Sequence, residues 1–231
     1  MTALAKPPAL LLDFDNTITS GDVLDLVIER YSPTDQWRRW ETAWQNGRIS
    51  THECLSNQIA GLRLTLEELI RFTDDIVIDD AFGPLLSWAA ENDIETSIVS
   101  DNFDCVIKAM LRRRGLPLVP IYANRLTFSD DGPRASFPFR DPSCDRCANC
   151  KAQHVRRFAG RTRVFVGDGL SDICPAKAAD VVFAKDSLAT YLESIGRTYR
   201  AFRSLADVLH TLQAKYGHVS YPASIAQSAR R

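Results

Sequence analysis

Two carboxylates stand close together near the start of the 231-residue chain, Asp13 and Asp15 in the segment DFDNT. They directly follow the apolar run Ala9–Leu12, which predicts a short buried strand. One carboxylate of such a pair can attack an electrophile while the other transfers a proton, and both can hold a divalent cation. The alternative is a solvated turn in which Asp15, Asn16 and Thr17 only cap the next helix.

Polar residues also follow two later apolar runs. Ser100 and Asp101 follow one of them, while Asp168 and Asp172 lie in the Gly-rich segment GDGLSD after the other. A hydroxyl and free N–H groups at a helix N-terminus suit a phosphate, and the carboxylates suit a cation. Lys151 precedes another predicted helix, where a fixed ammonium can neutralise a phosphoryl oxygen. Taken singly, the Ser100 segment is more typical of a helix cap, and a lysine is more typical of the surface.

The elements predicted along the chain explain how these positions can meet. Apolar strand-like runs alternate with helical segments, and this pattern predicts an α/β fold with a parallel sheet wrapped by helices. In such sheets ligands bind beyond the carboxyl ends of the strands. Asp13, Ser100 and Asp168 each follow a predicted strand, so we expect them to share one edge of the sheet.

The stretch between the first two predicted strands is helical throughout. Two capping-box patterns, in which Ser or Thr is followed three residues later by Glu, mark helix starts at Ser50 and Thr65. After Lys215 the pattern decays into a loose tail. The sequence predicts a core, a helical insert and a tail, which comprise residues 1–19 with 77–214, residues 20–76 and residues 215–231.

Charge and hydropathy exclude several classes of protein. The chain carries 28 basic and 29 acidic residues, so it has no basic excess to neutralise the phosphates of a nucleic acid. It has no apolar run of about 18 residues that could span a membrane. The first residues lack the pattern of a secretory signal, which predicts a cytoplasmic location. We expect a monomer or homodimer with no nucleic-acid or membrane partner.

The order of these motifs along the chain resembles that of the haloacid dehalogenase superfamily, and of its phosphatases in particular. The motifs are the first aspartate pair, Ser100, Lys151 and the second aspartate pair. The helical insert lies where the phosphoserine-phosphatase-like subfamily carries a small helical cap. The resemblance therefore implies a Rossmann-like core with an inserted cap.

Two groups within that subfamily are similar to this sequence. The segment FAKD at 183–186 favours a methionine-salvage phosphatase that acts on a methylthiopentenyl-1-phosphate. The segment SDN at 100–102 favours the phosphoethanolamine/phosphocholine phosphatases, because the salvage and phosphoserine enzymes usually have Ser-Gly-Gly there. The resemblance thus predicts the reaction class and leaves the substrate open among these three types.

The resemblance implies a Mg²⁺-dependent phosphatase that hydrolyses a small phosphorylated metabolite through an aspartyl-phosphate. Asp13 is then the nucleophile, and Asp15 protonates the leaving oxygen and later activates water. Asp13, Asp168 and the Asp15 carbonyl would bind Mg²⁺, and Asp172 would orient that site. Because a carboxylate and a phosphate repel each other, such a reaction needs cations to offset the charge.

The remaining implied roles concern the substrate. Ser100 and Lys151 would hold the phosphoryl oxygens, with backbone N–H groups of Asn16 and Asp101 nearby. Asp22 and Asp101 are our candidates for contacting the rest of the substrate, since an acidic lining favours an amine such as phosphoethanolamine. Two alternatives stay open: a phosphotransferase or mutase with the same aspartyl-phosphate, and a catalytically silent metal- or redox-responsive binding protein.

Three cysteines crowd together before Lys151, as Cys144, Cys147 and Cys150. With His154 they have the spacing of a Cys₃His zinc site. The alternative is a set of free thiols that shape the loop.

Overall fold

The computed structural model describes residues 6–130 and 132–217, and in these residues seven strands form one sheet. Its strands are β1 (Ala9–Leu12), β2 (Glu95–Phe103), β3 (Ile121–Ser129), β4 (Gly132–Ser136), β5 (Arg163–Gly167), β6 (Val181–Ala184) and β7 (Arg200–Ala201). The strand order is β4-β3-β2-β1-β5-β6-β7. All neighbours pair in parallel except β3 and β4, which form an antiparallel hairpin.

Ten helices flank this sheet in the described part of the chain. They are α1 (Val23–Tyr31), α2 (Gln36–Gln45), α3 (Thr51–Ala60), α4 (Leu66–Phe72), α5 (Phe82–Glu91), α6 (Asp104–Arg113), α7 (Lys151–Arg156), α8 (Ile173–Ala178), α9 (Asp186–Ser194) and α10 (Leu205–Tyr216). The two predicted capping boxes are confirmed, because Ser50 and Thr65 cap α3 and α4 and each receives the reciprocal Glu contact. The predicted α/β class is likewise confirmed.

The sheet has an apolar layer on each face because its buried strands alternate their side chains between the two. Leu10 and Leu12 belong to the layer that also holds apolar side chains of α1, α3, α5, α6 and α10. Ala9 and Leu11 belong to the layer on the other side, with side chains of α7, α8 and α9. β1 is therefore buried on both faces, which is why its sequence is a continuous apolar run.

The register sets Leu12, the last residue of β1, beside inner positions of β2 and β5. β2 continues to Phe103, so Ser100 lies within this strand and does not follow it. Leu12 pairs with Ile98 of β2 on one side and with Val166 of β5 on the other. The residues that follow these positions therefore emerge at one edge of the sheet. This edge holds the ends of the strands that lead to Asp13 and Asp168, as the alternation of strands and helices predicts.

The helical stretch from Val23 to Asp75 connects β1 to α5 and comprises α1 to α4 with a closing 3-10 turn. The last helix runs to Tyr216, past the predicted end of the core at 214. Residues 218–231 of the predicted tail lie outside the described residues. No helix among the described residues combines the length and apolar character needed to cross a bilayer.

Candidate active site

Lys151 stands at the centre of the candidate site, with its ammonium surrounded by carboxylates. It is the first residue of α7, and only 2% of its side chain is exposed. Its Nζ donates to Asp13 Oδ1 at 2.7 Å and to Asp172 Oδ1 at 2.8 Å. Asp101 Oδ2 lies 3.9 Å away, and Ser171 Oγ accepts at 3.1 Å. The site therefore combines residues that are distant in the sequence around one buried cation.

Burial and charge act in opposite directions on Lys151. Burial alone would lower the pKa of its ammonium, but Asp13, then Asp172 and Asp101, raise that pKa well above the ordinary value. The side chain is therefore charged throughout the neutral range. A fixed cation beside Asp13 is what the attack of a carboxylate on an anionic phosphoryl group requires.

Asp172 is the fully buried anchor of the loop that follows β5. Its Oδ2 accepts the backbone N–H groups of Asp168 and Gly169 at 3.0 and 3.3 Å. Its other oxygen faces Lys151. Both carboxylate oxygens are therefore bound by protein donors, which suits a residue that orients the site.

A cation could bind between the carboxylates of Asp13, Asp168 and Asp172. One oxygen from each lies within 4.8 Å of the others. Burial, then the charge of Asp172, raises the pKa of Asp168 to about 6, and the same two causes raise that of Asp13 well above its usual range. Crowded hard oxygen donors with excess negative charge fit Mg²⁺. Asp172 is fully buried and binds Lys151 and two backbone N–H groups. Asp168 also accepts hydrogen bonds, from Asn16 and Thr17, but it is partly exposed. We therefore expect Asp13 and Asp168 to be the side chains that hold a cation.

Asp15 lies in a separate buried environment beside the ends of β1 and β2. Its Oδ1 accepts from Asn102 Nδ2 at 2.9 Å and from the backbone N–H of Val23 at 3.0 Å. The Ser100 hydroxyl is 3.4 Å from Oδ2. Burial, then the charge of Asp22, raises the pKa of Asp15 well above its ordinary value. A raised pKa makes this carboxyl more able to carry the proton that a general acid donates.

Asn16 makes contacts that differ from its expected phosphate-binding role. It adopts a left-handed backbone conformation with φ of 51°, and its N–H donates to Gly21 O at 2.9 Å. Its side-chain amide donates to Asp168 Oδ2 at 2.9 Å and to Asp186 Oδ2 at 3.0 Å. This tight turn engages the N–H of Asn16, and its side chain is placed to orient Asp168. Its phosphate-binding role stays a prediction.

The two candidate specificity residues line one pocket at the side of the site. Asp22 is the N-cap of α1 and accepts from the N–H of Asp25 at 2.9 Å. Asp101 Oδ1 accepts the N–H of Asn149 at 3.1 Å. The pocket is lined by Asp22, Leu24, Asp25, Glu41, Trp44, Thr51, Cys54, Leu55, Gln58, Asp101 and Ser171. It joins helices α1 to α3 to the candidate catalytic edge.

The cysteines and His154 do not gather around one point. Among the described residues, no group of ligand atoms from Cys144, Cys147, Cys150 and His154 meets the spacing of a metal site. The His154 ring instead faces Asn149 Oδ1 at 3.0 Å, and the Cys147 thiol contacts Cys174 and Cys144. These contacts favour the alternative of free thiols that shape the loop.

Several contributors to the site have no role in the sequence-based prediction. Thr17 Oγ1 donates to Asp168 Oδ1 at 3.0 Å, and Asn102 holds Asp15. Thr17 lies in the segment DFDNT and Asn102 in the segment SDN, and the presence of these motifs is the sequence feature that could have identified both residues. Asn149 lies between two of the cysteines, and nothing in the local pattern singles it out.

The arrangement defines a haloacid dehalogenase-type fold, as predicted. A solved structure described as a phospho-aspartyl intermediate analogue of phosphoserine phosphatase matches with a TM-score of 0.68 and 19% identity, covering 89% of this chain and 99% of that one. A haloacid dehalogenase-family hydrolase from Salmonella enterica serovar Typhi matches with a TM-score of 0.72 and 15% identity, covering 94% and 74%.

Sequence similarity relates this chain to a family of proteins, in addition to the shared fold. This chain belongs to the family described as "Putative Phosphatase", whose model matches residues 9–201. A relative from Brevibacillus brevis, named 2-hydroxy-3-keto-5-methylthiopentenyl-1-phosphate phosphatase, is 29% identical over 216 residues that cover 91% of this chain and 97% of the relative.

Proposed function

We propose that this chain is a Mg²⁺-dependent phosphatase that hydrolyses a small phosphomonoester through an aspartyl-phosphate on Asp13. The observation that carries the proposal is the buried Lys151 ammonium, 2.7 Å from Asp13 Oδ1. That contact places a permanent positive charge where a phosphoryl group would approach the nucleophile. The named phosphatase relatives support the same reaction class.

The chemistry follows from the residues at this edge. A carboxylate oxygen of Asp13 attacks phosphorus, and the bond from phosphorus to the leaving oxygen breaks. Asp15 donates its proton to that oxygen as the alcohol departs. Water then attacks the phosphorus of the aspartyl-phosphate and gives a proton to Asp15, which restores Asp13 and releases phosphate. Lys151 offsets phosphoryl charge throughout, and Mg²⁺ held by Asp13 and Asp168 would add charge neutralisation.

The helical insert, residues 20–76, is proposed as a cap that encloses the leaving group. Its residues Asp22, Asp25 and Glu41 line the pocket beside the site, together with Asp101 from the core. No lysine or arginine lines this pocket in the described part of the chain. A substrate carboxylate, as in phosphoserine, would find no partner there. The lining favours a leaving alcohol that carries a cationic nitrogen, such as phosphoethanolamine or phosphocholine, recognised by Asp22 and Asp101.

A methylthiopentenyl-type phosphate is the second candidate substrate, because the Brevibacillus brevis relative is named for that activity. Its uncharged leaving group would gain nothing from the acidic lining. The two candidates therefore differ in their response to charge removal in the pocket. In either case we propose that the protein binds a small phosphorylated metabolite and acts in the cytoplasm.

The test is phosphate release from a panel of phosphoserine, phosphoethanolamine, phosphocholine and a methylthiopentenyl-type phosphate, with Mg²⁺ and with EDTA. We expect Mg²⁺-dependent turnover that Asp13→Asn abolishes and that the exposed-site control Asp35→Asn retains. Asp22→Ala and Asp101→Ala should weaken the cationic substrates selectively. Turnover that survives in Asp13→Asn would refute the aspartyl-phosphate. Transfer of phosphate to an added alcohol would favour the phosphotransferase alternative.

A further inference from the structure

Asn149 is a buried residue whose side chain and backbone together connect four parts of the candidate site. Its Nδ2 donates to the carbonyl oxygens of Ser100 at 2.9 Å and Tyr122 at 2.7 Å. Its backbone N–H donates to Asp101 Oδ1 at 3.1 Å. Its carbonyl oxygen accepts the N–H of Lys151 at 2.8 Å. Ser100 of β2 and Tyr122 at the start of β3 are thus joined to the turn from which Lys151 enters the site.

His154 completes the hydrogen bonding of this amide. Its Nε2 lies 3.0 Å from Asn149 Oδ1, and the ring is fully buried. Because Asn149 Nδ2 is used by two carbonyl acceptors, Oδ1 must be the atom that faces the ring. His154 Nε2 must therefore carry the hydrogen, so the tautomer is fixed by its neighbours.

The surroundings keep this imidazole neutral. Its ring stacks on Tyr122 with centroids 4.4 Å apart and meets the edge of Phe139 at 5.0 Å. Burial, then the charge of Arg157, lowers the pKa of His154 to about 4. The other ring nitrogen, Nδ1, is buried and has no hydrogen-bond partner among the described residues.

A role in packing alone does not account for a histidine at this position. An aromatic hydrocarbon ring would stack on Tyr122 equally well and would leave no buried nitrogen without a partner. The feature that a hydrocarbon ring lacks is the Nε2–H aimed at Asn149. That hydrogen bond fixes which way the amide of Asn149 points, and so fixes its contacts to the carbonyl groups of Ser100 and Tyr122.

We propose that His154 and Asn149 are positioning residues that hold Lys151 and Asp101 in place for phosphoryl transfer. This inference rests on the proposed function, since Lys151 is the group positioned. An ammonium that must stay 2.7 Å from the nucleophile tolerates little displacement. Misplacement by a fraction of an ångström should reduce transition-state stabilisation more than substrate binding.

The test compares His154→Phe, which keeps the stacking ring, with His154→Gln, which places an N–H near the position of Nε2. We expect kcat for the best substrate to fall about tenfold in His154→Phe, with a smaller change in KM. His154→Gln should recover most of the lost kcat. Gln153→Leu is the matched control, because Gln153 lies on the same helix and its side-chain amide donates to Phe139 O.

The outcomes separate positioning from packing. An active wild type with unchanged kcat in folded His154→Phe would refute the proposal. Equal losses in His154→Phe and His154→Gln, or an equal loss in Gln153→Leu, would indicate packing and refute it too. If His154→Phe does not fold, His154→Asn takes its place, since its N–H falls near Nδ1 and should not restore kcat. A wild type that turns over no phosphomonoester would contradict the proposed function itself.

Discussion

The surroundings of Asp15 prepare its carboxyl to donate a proton to the leaving oxygen. Burial holds its pKa well above the ordinary value, and Asn102 and Val23 fix its orientation. Asp15→Asn keeps the acceptor at Oδ1 but has no proton to donate. We expect the rate of aspartyl-phosphate formation to fall at least about a hundredfold for an alkyl phosphomonoester, and much less for p-nitrophenyl phosphate, whose leaving group needs no proton. Single-turnover release of each alcohol measures this step apart from the later attack of water, which also uses Asp15. Equal losses in that step would remove Asp15 from the role of general acid.

Asp25 should make substrate binding depend on pH. Desolvation by the pocket, then the charges of Asp22 and Glu41, raises the pKa of Asp25 to about 7. The carboxyl is neutral below that pH and negative above it. We expect KM for phosphocholine to fall about fivefold between pH 6 and 8, as one more negative charge faces the cation.

Two controls isolate this effect from the titration of the substrate phosphate. In Asp25→Asn the pH dependence of KM for phosphocholine should flatten. For a phosphomonoester whose alkyl group is uncharged, Asp25 should contribute nothing to the pH dependence of KM, so wild type and Asp25→Asn should behave alike. A wild-type KM ratio between the two substrates that stays constant with pH would contradict an ionising Asp25 in the substrate pocket.

At the scale of the element, the end of β5 requires glycine at position 167. A Cβ on Gly167 would collide with the carboxyl of Asp172 and with the ring of Phe165. Gly167→Ala should therefore cost about 1–3 kcal/mol of stability and displace Asp172 from Lys151. We expect a lower melting temperature. We also expect kcat to drop about tenfold or more, because a catalytic group is displaced.

Gly169→Ala provides the matched control two residues away. A Cβ there would meet no atom within 4 Å, and its φ of −109° is accessible to any residue. The backbone N–H that binds Asp172 is retained. Calorimetry and kinetics on the two variants should show a near-native Gly169→Ala beside an impaired Gly167→Ala. Comparable impairment in both would mean that loop flexibility, and not the space around Asp172, matters here.

The same scale shows how far the sequence predicts the site. Asp13, Ser100 and Asp168 could be grouped in advance because parallel strands bring the residues after their apolar runs to one edge of the sheet. Lys151 could be added only through the resemblance to known motifs. The contacts of Asn149 could not be predicted, since its two carbonyl partners lie 49 and 27 residues away and depend on how β2 and β3 meet the cysteine loop. The backbone of Asn16 likewise depends on a tight turn closed by Gly21.

At the scale of the whole molecule, the carboxylates at the sheet edge should link stability to both pH and Mg²⁺. Burial, then the charge of Asp172, raises the pKa of Asp168 to about 6. The same causes raise the pKa of Asp13. The folded state thus binds protons more tightly than the unfolded chain. Without metal, this contribution to stability is fully present below about pH 4 and is lost as pH rises through 6.

Magnesium should replace those protons. A cation that binds the folded state alone raises stability according to its concentration relative to its dissociation constant. Because protons compete for the same oxygens, the rise in melting temperature on adding Mg²⁺ to EDTA-treated protein should be small at pH 5 and several degrees larger at pH 7.5. Asp168→Asn should remove most of that difference, while the distant Asp35→Asn should preserve it. A Mg²⁺-induced shift that is independent of pH, or intact in Asp168→Asn, would place the cation elsewhere on the molecule and detach it from the carboxylates around Lys151.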